Sequence, residues 1–175
     1  SIFLFFVSIW LIFLTDRGRL FRDSLFLKIP IFGKIINQNV LNKFGKTFGI
    51  LVGAGVPVID SMHLIKKVVD NRVYELAINK SAKHIENGSN ISDALKLSGL
   101  FPGVFIQLMQ TGEETGEIDK LSLKISDFYA KQVSATVDRL TSVIEPLLII
   151  LIGVVIGVVL VAVYLPIFQF GANFK

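Results

Sequence analysis

The chain has 175 residues, a formal net charge of +4, no cysteine and a hydrophobic share of 52%. That length is typical of about one domain, and the hydrophobic share exceeds the roughly 45–50% of soluble globular proteins. The lack of cysteine excludes disulfides within the chain and cysteine-ligated metal sites. The apolar excess lies at the two ends, because residues 2–14 and 146–174 carry no charge, whereas the residues between them have an ordinary soluble composition.

The first apolar run, Ile2 to Leu14, is too short to span a bilayer, which needs about 20 helical residues. A secretory signal peptide has an apolar region of this length. However, no basic residue precedes the run and no small-residue cleavage motif follows it. We therefore predict that residues 1–15 are the last part of a transmembrane helix.

Residues 16–37 are predicted to be a basic connector next to the membrane. Arg17, Arg19 and Arg22 follow the first apolar run, whereas Lys175 is the one basic residue after the second run. Cytoplasmic flanks of membrane helices carry an excess of lysine and arginine, and such stretches lie against anionic lipid headgroups. The bias predicts a multi-pass protein with a cytoplasmic central domain and an extracytoplasmic tail, residues 169–175.

Residues 38–143 show helical spacing of apolar residues, interrupted by glycine, proline and asparagine. The pattern predicts six helices and no strand, and thus an all-α cytoplasmic bundle between transmembrane helices. Gly55 and Pro57 predict the end of the first helix and the start of the second. Asn90 is the predicted N-cap of the fourth helix, and Gly112 the predicted end of the fifth.

The sixth helix is predicted to begin near Glu117 and to continue without a break into a transmembrane span at residues 144–168. Leu147 to Leu165 is an uncharged, almost entirely apolar stretch, long enough to cross the hydrocarbon core. Gly153 and Gly157 have the spacing of glycines that seat one membrane helix against another. That packing role and the general abundance of glycine in membrane helices stay open as alternatives.

Glu145-Pro146 lies at the predicted membrane boundary. Proline removes one backbone hydrogen bond of a helix and favours a kink. Two interpretations stay open: an interfacial charge followed by a proline that opens the span, and a hinge between the bundle and the membrane helix.

The stretch Thr111 to Leu121 (TGEETGEIDKL) concentrates four acids between and beside two glycines. Its spacing is not that of a calcium-binding loop, and nothing near it indicates the cleft that paired catalytic carboxylates need. Acids are favoured at helix N-termini by the helix dipole. We therefore predict a helix corner, with Glu113 and Glu114 in the turn from Gly112 to Gly116, and no catalytic, cofactor or metal site. Dispersed basic residues without interleaved aromatics predict no nucleic-acid binding.

Taken in order, the motifs resemble those of the F/PilC family, the inner-membrane platform proteins of type II secretion systems and type IV pili. Phe44 to Ile59 (FGKTFGILVGAGVPVI) is similar to the family's FARTLATLLSAGVPLL, with Gly45 and Gly49 in place of alanines. Those glycines are expected to admit another backbone. The resemblance extends to Gly88–Leu95, Phe101-Pro102, Gly112–Ile118, Glu145-Pro146 and Leu165-Pro166-Ile167. The family-motif residues that it marks are Gly55, Pro57, Gly112, Glu113, Gly116, Glu145, Pro146 and Pro166.

The resemblance implies the C-terminal half of a non-enzymatic scaffold in the bacterial inner membrane. It also implies partners: a hexameric assembly ATPase, pilin or pseudopilin subunits, other inner-membrane assembly proteins and further copies of the chain. A transporter fragment, a scaffold fragment of a signalling complex, and a membrane-anchored enzyme are the alternatives. The apolar runs contain no ionisable residue, which disfavours a transporter, and the lack of a catalytic constellation disfavours an enzyme.

Overall fold

The computed structural model describes the backbone of residues 16–172 and the side chains of residues 18–162. The transmembrane segment predicted at residues 1–15, and the end of the predicted tail, lie outside these described residues. Within them the chain forms seven α-helices and no strand, which confirms the all-α prediction. The helices are α1 (Asp16–Lys28), α2 (Pro30–Gly53), α3 (Val58–Val68), α4 (Arg72–Glu86), α5 (Ile91–Lys96), α6 (Gly103–Thr115) and α7 (Ile118–Ala172).

Six of these helices correspond to the predicted ones, and α1 is an addition. The basic connector is itself helical, because α1 occupies its first half and α2 begins at Pro30, well before the predicted start near Asn39. Pro30 suits a first helical turn, where no backbone N–H is needed. The first part of the predicted tail also continues α7 as far as Ala172.

The chain divides into two compact units, one ending at Val133 and the other beginning at Ser134. The first unit contains α1 to α6 and the first turns of α7, and the second contains the rest of α7. In the described part of the chain, α7 is the one helix long and apolar enough to cross a membrane. It contains an 18-residue stretch with a mean hydropathy of 2.9 and no buried residue. The predicted domain limits at residues 143 and 168 stay predictions.

The core of the first unit is built around aromatic rings from three helices and one loop. Phe44 of α2 has its ring centroid 5.4 Å from that of Phe101 and 5.5 Å from that of Phe105, both in edge-to-face geometry. Tyr74 of α4 meets Phe101 edge-on at 5.8 Å. Aliphatic side chains at the predicted helical spacing complete the core, among them Val40, Leu41, Met62, Ile65, Ile78, Met109 and Ile125.

One core position differs from the prediction. In the sixth predicted helix, the spacing of Ile118, Leu121, Ile125 and Phe128 predicts that Phe128 lies on the apolar face. In the structure, however, the neighbouring Tyr129 is the buried side chain, while Phe128 is 46% exposed. A tyrosine can face the core when its hydroxyl reaches the rim, so apolar spacing alone ranks the two residues in the wrong order.

Two glycines of α2 allow the backbone of α7 to approach closely. A Cβ added to Gly45 would lie 2.7 Å from the carbonyl oxygen of Ser122, and one added to Gly49 would lie 2.8 Å from that of Asp119. Those distances are too short for any larger residue without a backbone shift. The close approach expected from the two glycines is therefore present, and its partner is the first turns of α7.

Candidate functional site

The acidic corner, residues 111–121, joins α6 to α7. Helix α6 continues past Gly112 to Thr115, and the chain turns at Gly116, which has a left-handed φ of 72°. The prediction that Gly112 ends the fifth helix was therefore wrong. Glu113 and Glu114 lie in the last turn of α6 and not in a loop. The left-handed backbone is available to glycine without steric cost, which makes Gly116 the helix stop.

Gly112 has a different role, which is to let two helices meet. It is buried, and a Cβ added to it would lie 2.8 Å from the Cα of Ile118 at the start of α7. Any side chain at this position would push the ends of α6 and α7 apart. The two glycines of the corner therefore act through different physical effects, close packing at Gly112 and backbone conformation at Gly116.

The carboxylate of Glu113 caps the N-terminus of a third helix, α5. Its Oε1 accepts a hydrogen bond from the backbone N–H of Ile91 at 2.7 Å. Its Oε2 accepts from the backbone N–H of Ser92 at 3.2 Å and from the Ser92 hydroxyl at 3.0 Å. A negative charge at this position also interacts favourably with the helix dipole.

The predicted cap of α5, Asn90, is at the N-cap position but makes no side-chain hydrogen bond to the helix. That prediction was correct in position and wrong in the group that supplies the cap. Glu113, from 22 and 21 residues further along the chain, binds the backbone N–H of Ile91 and that of Ser92, and an N-cap side chain could otherwise have accepted from Ser92. Sequence spacing indicates only local caps, so it did not indicate that Glu113 supplies this one.

The remaining acids of the corner make local contacts on the surface. Glu114 accepts a hydrogen bond from the side-chain amide of Gln110 at 2.8 Å. Glu117 lies 2.7 Å from the ammonium of Lys120, whose hydrogen bond and charge hold the pKa of Glu117 below its usual range. Both acids are exposed and therefore accessible to another protein.

The corner does not gather metal ligands. Across the side chains that the structure describes, no group of three His, Cys, Asp or Glu residues is placed to hold a metal ion. A cavity of about 260 Å³ lies beside the corner, but Glu113 and Glu114, which line it, already accept the hydrogen bonds described above. The arrangement of these residues joins three helix ends and presents two acids to solvent.

Residues 44–166 match the family model described as Type II secretion system (T2SS), protein F. The chain belongs to this family. The matched range begins at Phe44 in α2 and ends at Pro166 in α7, so the protein F match includes the acidic corner and the glycines that admit α7. The family resemblance predicted from the ordered motifs is confirmed.

Curated relatives in the protein F family include type IV pilus and type II secretion proteins. Type IV pilus assembly protein PilC of Myxococcus xanthus is 38% identical over 153 residues, covering 87% of this chain and 37% of the relative. Its namesake in Pseudomonas aeruginosa is 34% identical over 161 residues, covering 90% and 43%. Type II secretion system protein F of Pseudomonas aeruginosa is 26% identical over 154 residues, covering 86% and 38%. The chain thus spans about two fifths of the length of these relatives.

Two other family-motif residues lie between α2 and α3. Gly55 has a φ of 81°, its N–H bonds to the carbonyl of Val52, and the next N–H, from Val56, bonds to that of Leu51. This pair of bonds is a Schellman motif, in which glycine satisfies the last carbonyls of a helix. Pro57 is the N-cap residue of α3, one position before the predicted first turn.

Three further motif residues belong to the second unit. Glu145 and Pro146 are exposed residues within α7, and Pro166 belongs to the same helix. No described atom lies within 4 Å of a Cβ added to Gly153 or Gly157. The packing role of these two glycines in a membrane span stays a prediction, because such packing requires a partner helix.

Proposed function

We propose that this chain is part of an inner-membrane platform protein, a non-enzymatic scaffold that couples a cytoplasmic assembly ATPase to pilus or pseudopilus growth. Membership of the protein F family and the names of its relatives support a place in a secretion or pilus assembly machine. The apolar stretch of α7 supports a membrane location.

The observation that carries the proposal is the extent of α7. This helix begins at the acidic corner and, by its residue bounds, also contains the candidate membrane span. A push on the corner by a cytoplasmic motor would therefore act on the same helix that enters the bilayer. Pro146 lies within that helix, and we propose it as the hinge at which the coupling is adjusted.

The exposed acids of the corner are the proposed contact for the ATPase. Glu114 and Glu117 point to solvent, whereas Glu113 is engaged by α5 and is unsuited to contact a partner directly. Pilin or pseudopilin subunits, other inner-membrane assembly proteins and further copies of the chain are proposed to contact the α7 span, where Gly153 and Gly157 offer a close packing surface.

Site-specific crosslinking in cells tests the contact. These 175 residues contain no cysteine. In the complete protein, with any cysteine outside them replaced by serine, single cysteines at Glu114 and Glu117 can each carry a maleimide photo-crosslinker. We expect both positions to crosslink to the assembly ATPase. A cysteine at Lys80, an exposed residue of α4, is the matched control and is expected to give much less of this product.

Two results would count against the proposed contact. If the ATPase were crosslinked equally at all three positions, the crosslinks would show that it lies near the whole helical bundle, and not that it contacts the acidic corner. If none of them recovered it while the fibre still assembled, the motor would bind elsewhere. In either case the family membership would stand and the assignment of this corner would fall.

A further inference from the structure

A cavity of about 370 Å³ lies among α1, the end of α3 and the start of α4, far along the chain from the acidic corner. Its size is within the roughly 300–1,000 Å³ range of small-molecule sites. Five of its lining side chains are basic and three are acidic. The basic ones are Arg19, Arg22, Lys66, Lys67 and Arg72.

The acids of the cavity are occupied by bonds within the protein. Asp23 is buried and accepts hydrogen bonds from the backbone N–H of Arg72 at 2.8 Å and from the Arg22 side chain at 3.1 Å. Glu75 lies 2.5 Å from the guanidinium of Arg72. The third acid, Asp70, pairs with Lys43, which does not line the cavity. Among the basic side chains that line the cavity, Arg22 and Arg72 are therefore the two that have a carboxylate partner in the described part of the chain.

The other three basic side chains that line the cavity are Arg19, Lys66 and Lys67. Lys66 donates a hydrogen bond to the neutral side chain of Asn79 at 3.1 Å. Among the side chains that the structure describes, no carboxylate lies within ion-pair distance of Arg19 or Lys67. Like charges repel where they converge, so a cavity with three uncompensated cations favours an anion.

Helix α1, which contributes Arg19, Arg22 and Asp23 to this cavity, also carries large exposed apolar residues, as does the start of α2. Phe21 is 65% exposed and Leu25 48%, and they lie four residues apart on the same helix as Arg19 and Arg22. Phe26 and Phe32 are also exposed, at 43% and 57%. Soluble surfaces rarely place several large apolar residues together without a partner.

We propose that this cavity binds the phosphate group of an anionic membrane lipid, with the apolar residues of α1 seated in the interfacial region of the same leaflet. Arg19, Lys66 and Lys67 supply the charge that a phosphate diester requires. Phe21 and Leu25 contact the lipid around it. The first unit is thereby held at the bilayer by a contact separate from the span in α7.

Charge complementarity and the position of α1 argue for a lipid over other occupants. A free phosphate would use the cations but leaves Phe21 and Leu25 without a function. Helix α1 also begins two residues after the uncharged run that ends at Leu14, so the sequence itself brings this helix next to a membrane-directed segment. A second copy of the chain would present the same positive cavity and would be repelled.

Native mass spectrometry of the full chain in a neutral detergent tests the proposal. The wild type is titrated with phosphatidylglycerol, with phosphatidylcholine and with inorganic phosphate. We expect tight binding of phosphatidylglycerol, weak binding of phosphatidylcholine, and no displacement of the lipid by inorganic phosphate. The double variant R19Q/K67Q should lose about 25-fold in affinity for phosphatidylglycerol, since each basic residue near an anionic lipid contributes roughly fivefold.

The matched control is K80Q/K83Q, which removes the same charge from exposed positions of α4 outside the cavity. It should keep the wild-type affinity. A third variant, F21S/L25S, should weaken phosphatidylglycerol binding although every cation is retained. Circular dichroism of each variant confirms that the helices are intact.

Three outcomes would overturn the proposal. Equal loss in both charge variants would mean non-specific attraction, and displacement by inorganic phosphate would mean a free-anion site. A change in the dimer population of R19Q/K67Q without a change in lipid affinity would assign the surface to a second copy. The measurement involves no ATPase, so its failure is distinguishable from failure of the proposed coupling function.

Discussion

Glu113 lies in the last turn of α6, yet its carboxylate accepts three hydrogen bonds from the start of α5. A charged acceptor that satisfies two otherwise unpaired backbone donors does more for stability than a surface ion pair. The sequence predicts that this family-motif residue lies with Glu114 in the turn from Gly112 to Gly116. Glu113 has this capping role because its side chain faces the N-terminus of α5.

Replacement of Glu113 by glutamine should destabilise the first unit by about 1–2 kcal/mol, because the amide has one acceptor oxygen and no charge. Chemical unfolding of the full chain, followed by circular dichroism, measures the change. Glu114→Gln is the control, and as a surface substitution it should alter stability by less than about 0.5 kcal/mol. Equal effects at both positions would contradict the capping role.

Tyr74 is a second residue whose environment decides its chemistry. Its hydroxyl donates to the carbonyl of Leu100 at 3.1 Å and its ring is buried, and this burial raises the pKa of Tyr74 well above its usual value. Burial also raises the pKa of Tyr129. Both groups are therefore neutral in the folded protein at a pH at which an unfolded tyrosine already ionises.

The free energy of unfolding depends on pH because the pKa of Tyr74 is higher in the folded state than in the unfolded state. Below about pH 10 both states keep the phenol proton, and the contribution to stability is fully present. As the pH rises further, the unfolded state loses the proton first and the free energy of unfolding falls. Tyr74→Phe should therefore unfold with a shallower pH dependence above about pH 10, measured by thermal unfolding across that range. An unchanged slope would show that Tyr74 ionises normally.

The contact between α2 and the first turns of α7 is decided at the level of helices. Gly45 and Gly49 are one helical turn apart and both face the α7 backbone, where added Cβ atoms would meet carbonyl oxygens. Glycine inside a helix costs roughly 0.5–1 kcal/mol relative to alanine. This cost is offset at both positions, because the close approach of α7 places the side chain of Ile125 in the core.

Gly49→Ala should therefore destabilise the first unit by about 1–3 kcal/mol, although alanine is the better helix former. Gly53→Ala is the matched control, since an added Cβ there would lie 3.5 Å from the nearest atom, an ordinary contact. It should be neutral or stabilising by up to about 1 kcal/mol. Denaturant midpoints of the two variants give the comparison, and a stabilised Gly49→Ala protein would contradict the close packing.

The chain divides into two compact units, and the division falls between residues 133 and 134, within α7. The first unit has a closed aromatic core, whereas the apolar side chains of the second are exposed along the helix. Exposed apolar residues over that length are stable in hydrocarbon and not in water. This contrast is the physical basis for a membrane location.

The predicted topology has a direct test in spheroplasts. Single cysteines at Lys80 and at Lys175 of the complete protein are treated with a membrane-impermeant maleimide. The positive-inside bias predicts labelling at Lys175 in intact spheroplasts, and labelling at Lys80 only after lysis. The reverse pattern would place the bundle outside the cytoplasm and exclude contact with a cytoplasmic ATPase.

The helical class, the apolar spacing of the core, the candidate span and the family could all be predicted from the amino-acid sequence. These properties depend on periodicity, on the length of uncharged stretches and on ordered short motifs, all of which are local. The packing of the helices was needed to show that Glu113 caps α5, that Gly112 is a packing position while Gly116 ends the helix, and that Arg19 shares a cavity with Lys67. Each of these depends on residues distant in sequence, whose meeting is set by how the helices pack and not by any local pattern.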